Sequence, residues 1–159
     1  METFSVHPIG VVSGGGEDPA HLRINPEYRD GLRGLEGFGH AVVLWWAHEM
    51  DDPELRALTD AGRPYVRLDH DLGIFATRSP LRPNPIALTV IELAAVDVEA
   101  GLIETPYLDA NDGTPLLDLK PYTPSIDRIE NPTVPTWCTH WPQSIESSAD
   151  FDWVAEFRF

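Results

Sequence analysis

Apolar residues along this chain come in short runs, not in a helical repeat. Ala41 to Ala47 is one unbroken apolar stretch. Its length and its β-branched and aromatic content predict a buried strand. Ile86 to Val96 is the longest strand candidate. Phe4 to Val12 predicts a strand that ends in a flexible turn, Ser13-Gly14-Gly15-Gly16. Ile74–Ala76, Leu102–Glu104 and Leu116–Leu119 read as shorter strands. From Phe151 to Phe159 aromatic residues alternate with mostly polar ones, the pattern of a half-buried strand. Two short helices have start signals. Asn25-Pro26-Glu27 and Asp52-Pro53-Glu54 each offer an N-cap, a first-turn Pro and a first-turn acid. The second puts Leu55 and Leu58 on one face, with Gly62 as its stop. Strands do not alternate with long helices, which weighs against a doubly wound parallel sheet. There is no internal repeat or low-complexity linker. The pattern predicts one mainly β domain over residues 1–159, a small closed or folded-over β-barrel with two or three short helices.

Composition narrows the function. The chain has 159 residues, 26 Asp+Glu against 11 Lys+Arg, and a formal net charge of −15. At 42% hydrophobic it can bury a core, and it is too apolar for a disordered acidic tail. A surface this negative repels phosphate backbones, so nucleic-acid binding would need a concentrated basic patch. The single Cys excludes a disulfide scaffold and a Cys-based zinc site, and suits a reducing cytoplasm. No apolar run reaches the roughly 18 residues of a membrane span. No basic N-terminal region precedes an apolar stretch, so no export signal is expected. Ten of the basic residues are Arg; the exception is Lys120.

Prolines concentrate where the polar residues do. Thr77 to Pro85 and Leu108 to Pro115, followed by Asp118-Leu119-Lys120-Pro121-Tyr122, are Pro-rich and carry charged side chains. Proline fixes φ and removes a donor, so these segments predict stiff loops. Stiff loops with charged groups are either well-made strand connections or sites that need pre-set geometry. Several chemistries are excluded. No His-Glu-x-x-His occurs, and His40 and His48 flank one predicted strand about 26 Å long, too far apart to share a metal. Asp109, Asn111, Asp112 and Gly113 lack the alternating ligands and closing Glu of a calcium loop. No metal is expected. There is no Gly-x-Ser-x-Gly elbow, no phosphate loop and no Gly-x-Gly-x-x-Gly after a strand. Cys138 and His140, two apart, read as structural in preference to a nucleophile and its base.

Two long segments resemble a known family. Gly73-Ile74-Phe75-Ala76-Thr77-Arg78-Ser79-Pro80-Leu81-Arg82-Pro83-Asn84-Pro85-Ile86 is similar to one signature of the TrmO family. Asp109-x-x-Asp112-Gly113-Thr114-Pro115-Leu116-Leu117-Asp118-Leu119-Lys120-Pro121-Tyr122 is similar to the other. Leu32 to Phe38 and Pro8 to Val11 resemble it too, in the same order, over roughly residues 6 to 128. The resemblance implies a non-Rossmann β-barrel, usually dimeric, that uses S-adenosyl-L-methionine as methyl donor. The best-known members methylate the exocyclic amine of threonylcarbamoyl-adenosine beside the tRNA anticodon.

The same resemblance implies cofactor contacts at His48, Glu49, Arg78, Leu88, Leu108, Asp109, Ala110 and Asn111. Asp118, Lys120 and Tyr122 become candidate catalytic residues; Lys120 either binds an acceptor carboxylate or, the favoured reading, anchors its loop by pairing with Asp118. Arg82, Asn84, Asp112 and Asp127 become candidates for shaping the loops or the acceptor site. A positive sulfonium favours carboxylate or aromatic faces, such as Asp109, Asp112, Trp45, Trp46 or Trp137. Asp118, Asp127, His40 and Tyr122 are open alternatives for a base.

The sequence departs from the family pattern in three places. Ser13 to Asp18 replaces a longer loop with Pro-Arg-Gln and has no basic residue. Phe38-Gly39-His40 replaces Phe-Ser-His, and Ala87 replaces a Gly. No further C-terminal domain is expected. With the net charge, the lost basic loop favours a small-molecule nitrogen acceptor. The alternatives are tRNA, which would draw on a patch of Arg23, Arg29, Arg33, Arg78 and Arg82, and a non-catalytic barrel that binds cofactor or a protein. The expected setting is the cytoplasm, as a homodimer and with no membrane.

Overall fold

The computed structural model describes residues 3–16 and 18–158. Its strands are β1 (Gly10–Gly14), β2 (Ala20–Ile24), β3 (His40–Trp46), β4 (Asp60–Gly62), β5 (Leu72–Gly73), β6 (Ile86–Glu92), β7 (Ala95–Asp97), β8 (Leu102–Thr105) and β9 (Pro115–Pro121). Seven of them form one antiparallel sheet in the order β6-β3-β9-β1-β2-β8-β7, and β4 pairs with β5 in a separate ribbon.

The apolar run of β3 lies inside the sheet, as its composition predicts. It pairs with β6 from His40↔Glu92 to Trp46↔Ile86 and with β9 on its other side. β1 and β2 form a hairpin from Gly10↔Ile24 to Gly14↔Ala20. In β2, Ala20, Leu22 and Ile24 are buried while His21 and Arg23 turn outward. These inward residues join Val12, Ala41, Val43, Ile91, Ile103, Leu108 and Leu116 in a wholly aliphatic core. Burying each large one contributes about 1.5–3 kcal/mol.

β6 and β7 stand at opposite ends of the strand order, yet only Leu93 and Ala94 separate them. The Leu93 N–H donates to Gly39 O (2.9 Å), on the β3 side. The next N–H, of Ala94, donates to Glu104 O in β8 (2.9 Å). One bent segment therefore serves both ends of the sheet. Among the described residues, no ladder pairs β6 with β7, so the hydrogen-bonded order is an open one.

Some expectations change. The first strand begins at Gly10 and takes in Ser13 and Gly14, which the sequence suggests as turn. The long candidate Ile86–Val96 divides at Leu93-Ala94. Ile74–Ala76 is a 3-10 turn, closed by Thr77, whose N–H and hydroxyl both donate to Ile74 O. The C-terminal segment is not a strand. Trp153–Glu156 is a helical turn capped by Asp152, whose carboxylate accepts from Ala155 N (3.0 Å). Trp153 and Phe157 are four apart, which places them on one side of a helical turn. Phe159 lies outside the described residues. At Asp52 the expected cap forms, accepting from Glu54 N (2.8 Å) and opening helix α1 (Pro53–Arg56). Pro26–Leu32 is 3-10, without a side-chain cap at Asn25. Three more single-turn helices are α2 (Pro124–Asp127), α3 (Ile145–Ser148) and α4 (Trp153–Glu156).

A second, aromatic cluster gathers Tyr65, Leu68 and Leu72 with Trp137, Trp141 and Phe157. Tyr65 stacks on Trp137 at 5.0 Å between ring centroids. Trp141 meets Tyr65, Trp137 and Trp153 edge-on. A buried pair, His140 Nε2 to Glu156 Oε2 at 2.8 Å, sits beside these rings. Burial pushes the Glu156 carboxyl up. The hydrogen bond with His140, the nearby Trp141 indole and the charges of His140 and Arg67 outweigh burial and hold it below its ordinary range.

Candidate functional site

An open cavity of about 630 Å³ lies where β3 ends, beside the exposed side of β6. Its first wall is the end of β3 and the turn after it: Trp45, Ala47, His48, Glu49 and Met50. Phe75 and the Pro-rich loop Thr77–Arg82 make the second. Ile86, Ala87, Leu88 and Thr89 of β6 form the back, and Asp109, Ala110, Asn111 and Thr114 close the remaining side.

Hydrogen bonds tie these walls together. The Trp45 indole N–H donates to Thr89 Oγ1 (3.1 Å), across the β3–β6 pair. Asn111 Nδ2 donates to Glu49 Oε2 (2.7 Å), joining segments 62 residues apart. Arg78 Nη2 donates to Leu88 O (2.8 Å), which lays the guanidinium along the outer side of β6. Arg82 folds back on its own loop, donating from Nη1 to Thr77 O (2.8 Å) and Ser79 O (3.3 Å), and lies 5.7 Å from the Phe75 ring centroid. Arg82 is thus tied to the backbone of its own loop. The cavity leaves large apolar faces open: Phe75 is 74% exposed and Leu88 44%. Apolar faces beside a few fixed charges are what a small-molecule site offers.

His48, Glu49, Arg78, Leu88, Asp109, Ala110 and Asn111 all line this cavity, as does Arg82. Leu108 is fully buried, and its carbonyl accepts from Gly16 N (3.2 Å) and Ala110 N (2.8 Å). Asp112 Oδ1 accepts from Gly14 N (3.0 Å), which closes the glycine turn onto the same loop. At Gly15, φ is +101°, and a Cβ would run into Ala110 O, so only glycine lets the short turn press against this wall. Asn84 Oδ1 faces Arg56 Nη2 (3.4 Å).

Other candidates lie outside the lining. Asp118 and Lys120 pair with each other on β9. Tyr122 donates its N–H to His40 O (3.0 Å), and its ring meets that imidazole edge-on. Asp127 Oδ2 accepts from Thr123 N (2.7 Å) at the start of α2. Trp46 turns to Asp51, and Trp137 belongs to the aromatic cluster. Arg23, Arg29 and Arg33 are engaged by Ser13, Glu99 O and Asp30 and do not line the cavity. Cys138 is buried and donates to Pro135 O, and burial pushes its thiol up. His140 is taken by Glu156, so the Cys-x-His pair is structural. Met50 and Arg56 are passed over in the sequence, because neither falls in a Pro-rich segment.

The model of the tRNA-methyltransferase O N-terminal domain family matches residues 12–128, a span that holds all four walls of the cavity. The chain belongs to the TrmO family. It shares 36% identity over 128 residues with a probable S-adenosyl-L-methionine-binding protein of Archaeoglobus fulgidus, covering 80% of this chain and 33% of that protein. A second protein of that organism, named an S-adenosyl-L-methionine-binding protein, is 38% identical over 110 residues, covering 69% of this chain and 73% of its own. The Escherichia coli tRNA (adenine(37)-N6)-methyltransferase is 36% identical over 137 residues, covering 80% and 54%. A crystal structure of TrmO from Pseudomonas aeruginosa superposes with a TM-score of 0.63 at 28% identity, over 83% of this chain and 62% of that one. The chain thus spans a third of the first relative's length and about three fifths of the solved TrmO chain.

Proposed function

We propose that this TrmO-family chain is an S-adenosyl-L-methionine-dependent methyltransferase, acting on a nitrogen of a small or medium-sized acceptor, as a cytoplasmic homodimer. One observation carries the reading. His48, Glu49, Arg78, Leu88, Asp109, Ala110 and Asn111, implied as cofactor contacts from separate parts of the chain, line a single cavity, with Leu108 buried beside it. That cavity, about 630 Å³, is of the size that small cofactors fill. Its residues suit the group: the Arg78 fork for a carboxylate, Glu49 and Asp109 for cationic or hydroxyl groups, and Trp45, Phe75 and Leu88 for a flat ring. The bound cofactor supplies an activated methyl group on a sulfonium. The chain's own residues align the partners, and loops held by Pro80, Pro83 and Pro85 are already stiff before anything binds. Asp118, Lys120 and Tyr122 do not line this cavity in their own chain. A role for them at the acceptor therefore requires a second copy to bring them to it.

A second reading, a tRNA methyltransferase, is favoured by the name of the Escherichia coli relative. The net charge of −15 and the engagement of Arg23, Arg29 and Arg33 elsewhere weigh against it. Incubation with methyl-labelled cofactor and either bulk tRNA or a panel of small amines and amino acids separates the two. Label in the small acceptors is expected. Label in tRNA alone overturns the small-acceptor reading. No calorimetric binding of S-adenosylmethionine overturns both.

A further inference from the structure

We infer that Arg56 is a positioning residue that fixes the width of the cavity by clamping two of its walls together, an inference that rests on the cofactor reading above. Arg56 closes α1, outside both signature motifs, and its side chain is 38% exposed, so it is not a core residue. Its guanidinium nevertheless has a partner on each side. Nε donates to Pro83 O (2.8 Å) and Nη2 to Asn84 Oδ1 (3.4 Å), both in the Pro-rich loop. Nη1 donates to Asp51 Oδ1 (2.9 Å), in the turn that follows β3. The same group lies 5.9 Å from the Trp46 ring centroid. Asp51 is held in turn, because its other oxygen accepts from the Trp46 indole N–H (3.0 Å).

The two segments so joined are the ones whose neighbours line the cavity. His48, Glu49 and Met50 precede Asp51 directly, and Thr77 to Arg82 precede Pro83 directly. No backbone ladder connects these segments beyond Ala47 N to Pro85 O (2.8 Å), at the foot of the cavity. Arg56 supplies the cross-link further out. A planar fork is required. Three nitrogens point in fixed directions to a backbone carbonyl, an amide oxygen and a carboxylate, whereas an ammonium is a point charge that reaches only some of them. Cofactor contacts on opposite walls act together only if their separation is fixed, and small misplacements are costly in binding.

The test is calorimetric titration with S-adenosylmethionine, at a temperature where circular dichroism shows each variant fully folded. Arg56→Ala is expected to weaken binding roughly tenfold or more. Arg56→Lys is expected to recover little of it. Low-millimolar guanidinium is expected to restore part of the affinity of Arg56→Ala, and ammonium at equal ionic strength none. A merely stabilising role would lower the melting temperature and leave all three binding readouts unmoved. Affinity within about twofold of wild type in folded Arg56→Ala overturns the clamp, and so does full recovery in Arg56→Lys. If Arg56→Ala does not fold, Arg56→Lys carries the test alone. Wild-type protein that binds no S-adenosylmethionine overturns the cofactor reading, and the clamp with it.

Discussion

The sheet core and the aromatic cluster are built on different physics. The sheet buries Leu22, Val43, Ile91, Ile103 and Leu116 around paired strands, so each of these sits on a backbone fixed by its neighbours. The aromatic cluster has a two-stranded ribbon, one isolated bridge between Tyr65 and Phe157, and the single turns at Thr136–Cys138 and α4. Ring contacts and the His140–Glu156 pair take the place of a ladder. The family match cuts across the cluster, taking in Tyr65, Leu68 and Leu72. It ends at residue 128, and Trp137, Trp141 and Phe157 lie beyond it. The cluster is nevertheless close to the site in the chain, since β5 runs into Phe75 and Thr77 of the cavity wall. The contrast teaches that the sheet makes the cavity while the cluster stands apart from it, joined to one wall through β5.

The largest expected break is in the sheet. Leu22→Ala, at a fully buried position of β2, should lower stability by about 3 kcal/mol in chemical denaturation and weaken cofactor binding only through unfolding. A loss under about 1 kcal/mol would mean that the sheet core is not the main source of stability.

Glu156→Gln comes next, at about 1–2 kcal/mol, since it removes a charge from a buried hydrogen-bonded pair. Tryptophan fluorescence should change while titration with S-adenosylmethionine does not. Equal loss of both would dissolve the distinction between the two regions. The same carboxyl sets a pH dependence. Its folded pKa lies below the ordinary value of 4.5, so its contribution is complete above that pH. As pH falls through the folded value, the contribution is lost. Fluorescence of the cluster should therefore change on acidification below about pH 4.5, and Glu156→Gln should remove that transition.

Arg78→Ala should leave the melting temperature nearly unchanged and weaken S-adenosylmethionine binding about tenfold, ~1.4 kcal/mol. Unchanged affinity would remove Arg78 from the cofactor site. The smallest effect belongs to Lys120→Met. Its partner Asp118 is half-exposed, and pairs this open to solvent contribute under about 1 kcal/mol. Cofactor affinity should not move, and a fall in it would place Lys120 in the site.

Much of this was legible in the sequence. The apolar stretch Ala41–Ala47 and the Asp52 cap need only local rules, and both appear as expected at β3 and α1. The cavity residues were legible through motif resemblance, because local physics cannot show that His48 and Asn111 meet. Besides Ile74–Ala76, one element was missed and another misread, for opposite reasons. β2 has only three inward residues and carries His21 and Arg23, so it offers too little periodicity to notice. Phe151–Phe159 offers a convincing alternation, but the period of four from Trp153 to Phe157 prevails because both rings pack on the aromatic cluster. Arg56 leaves no local signal at all, since its partners Pro83 and Asn84 are distant in sequence.

The bend at Leu93-Ala94 has a topological consequence. Two neighbouring amides donate towards opposite ends of the sheet, one to Gly39 just before β3 and the other to Glu104 in β8, so the chain helps to keep those ends together. A circular permutant with new termini between Leu93 and Ala94 would keep every strand pairing of the sheet. The two ends would then be held by the shared core alone, where Ile91 of β6 and Ile103 of β8 are buried together. The curvature behind the cavity thus depends in part on Leu93 and Ala94, which do not line it.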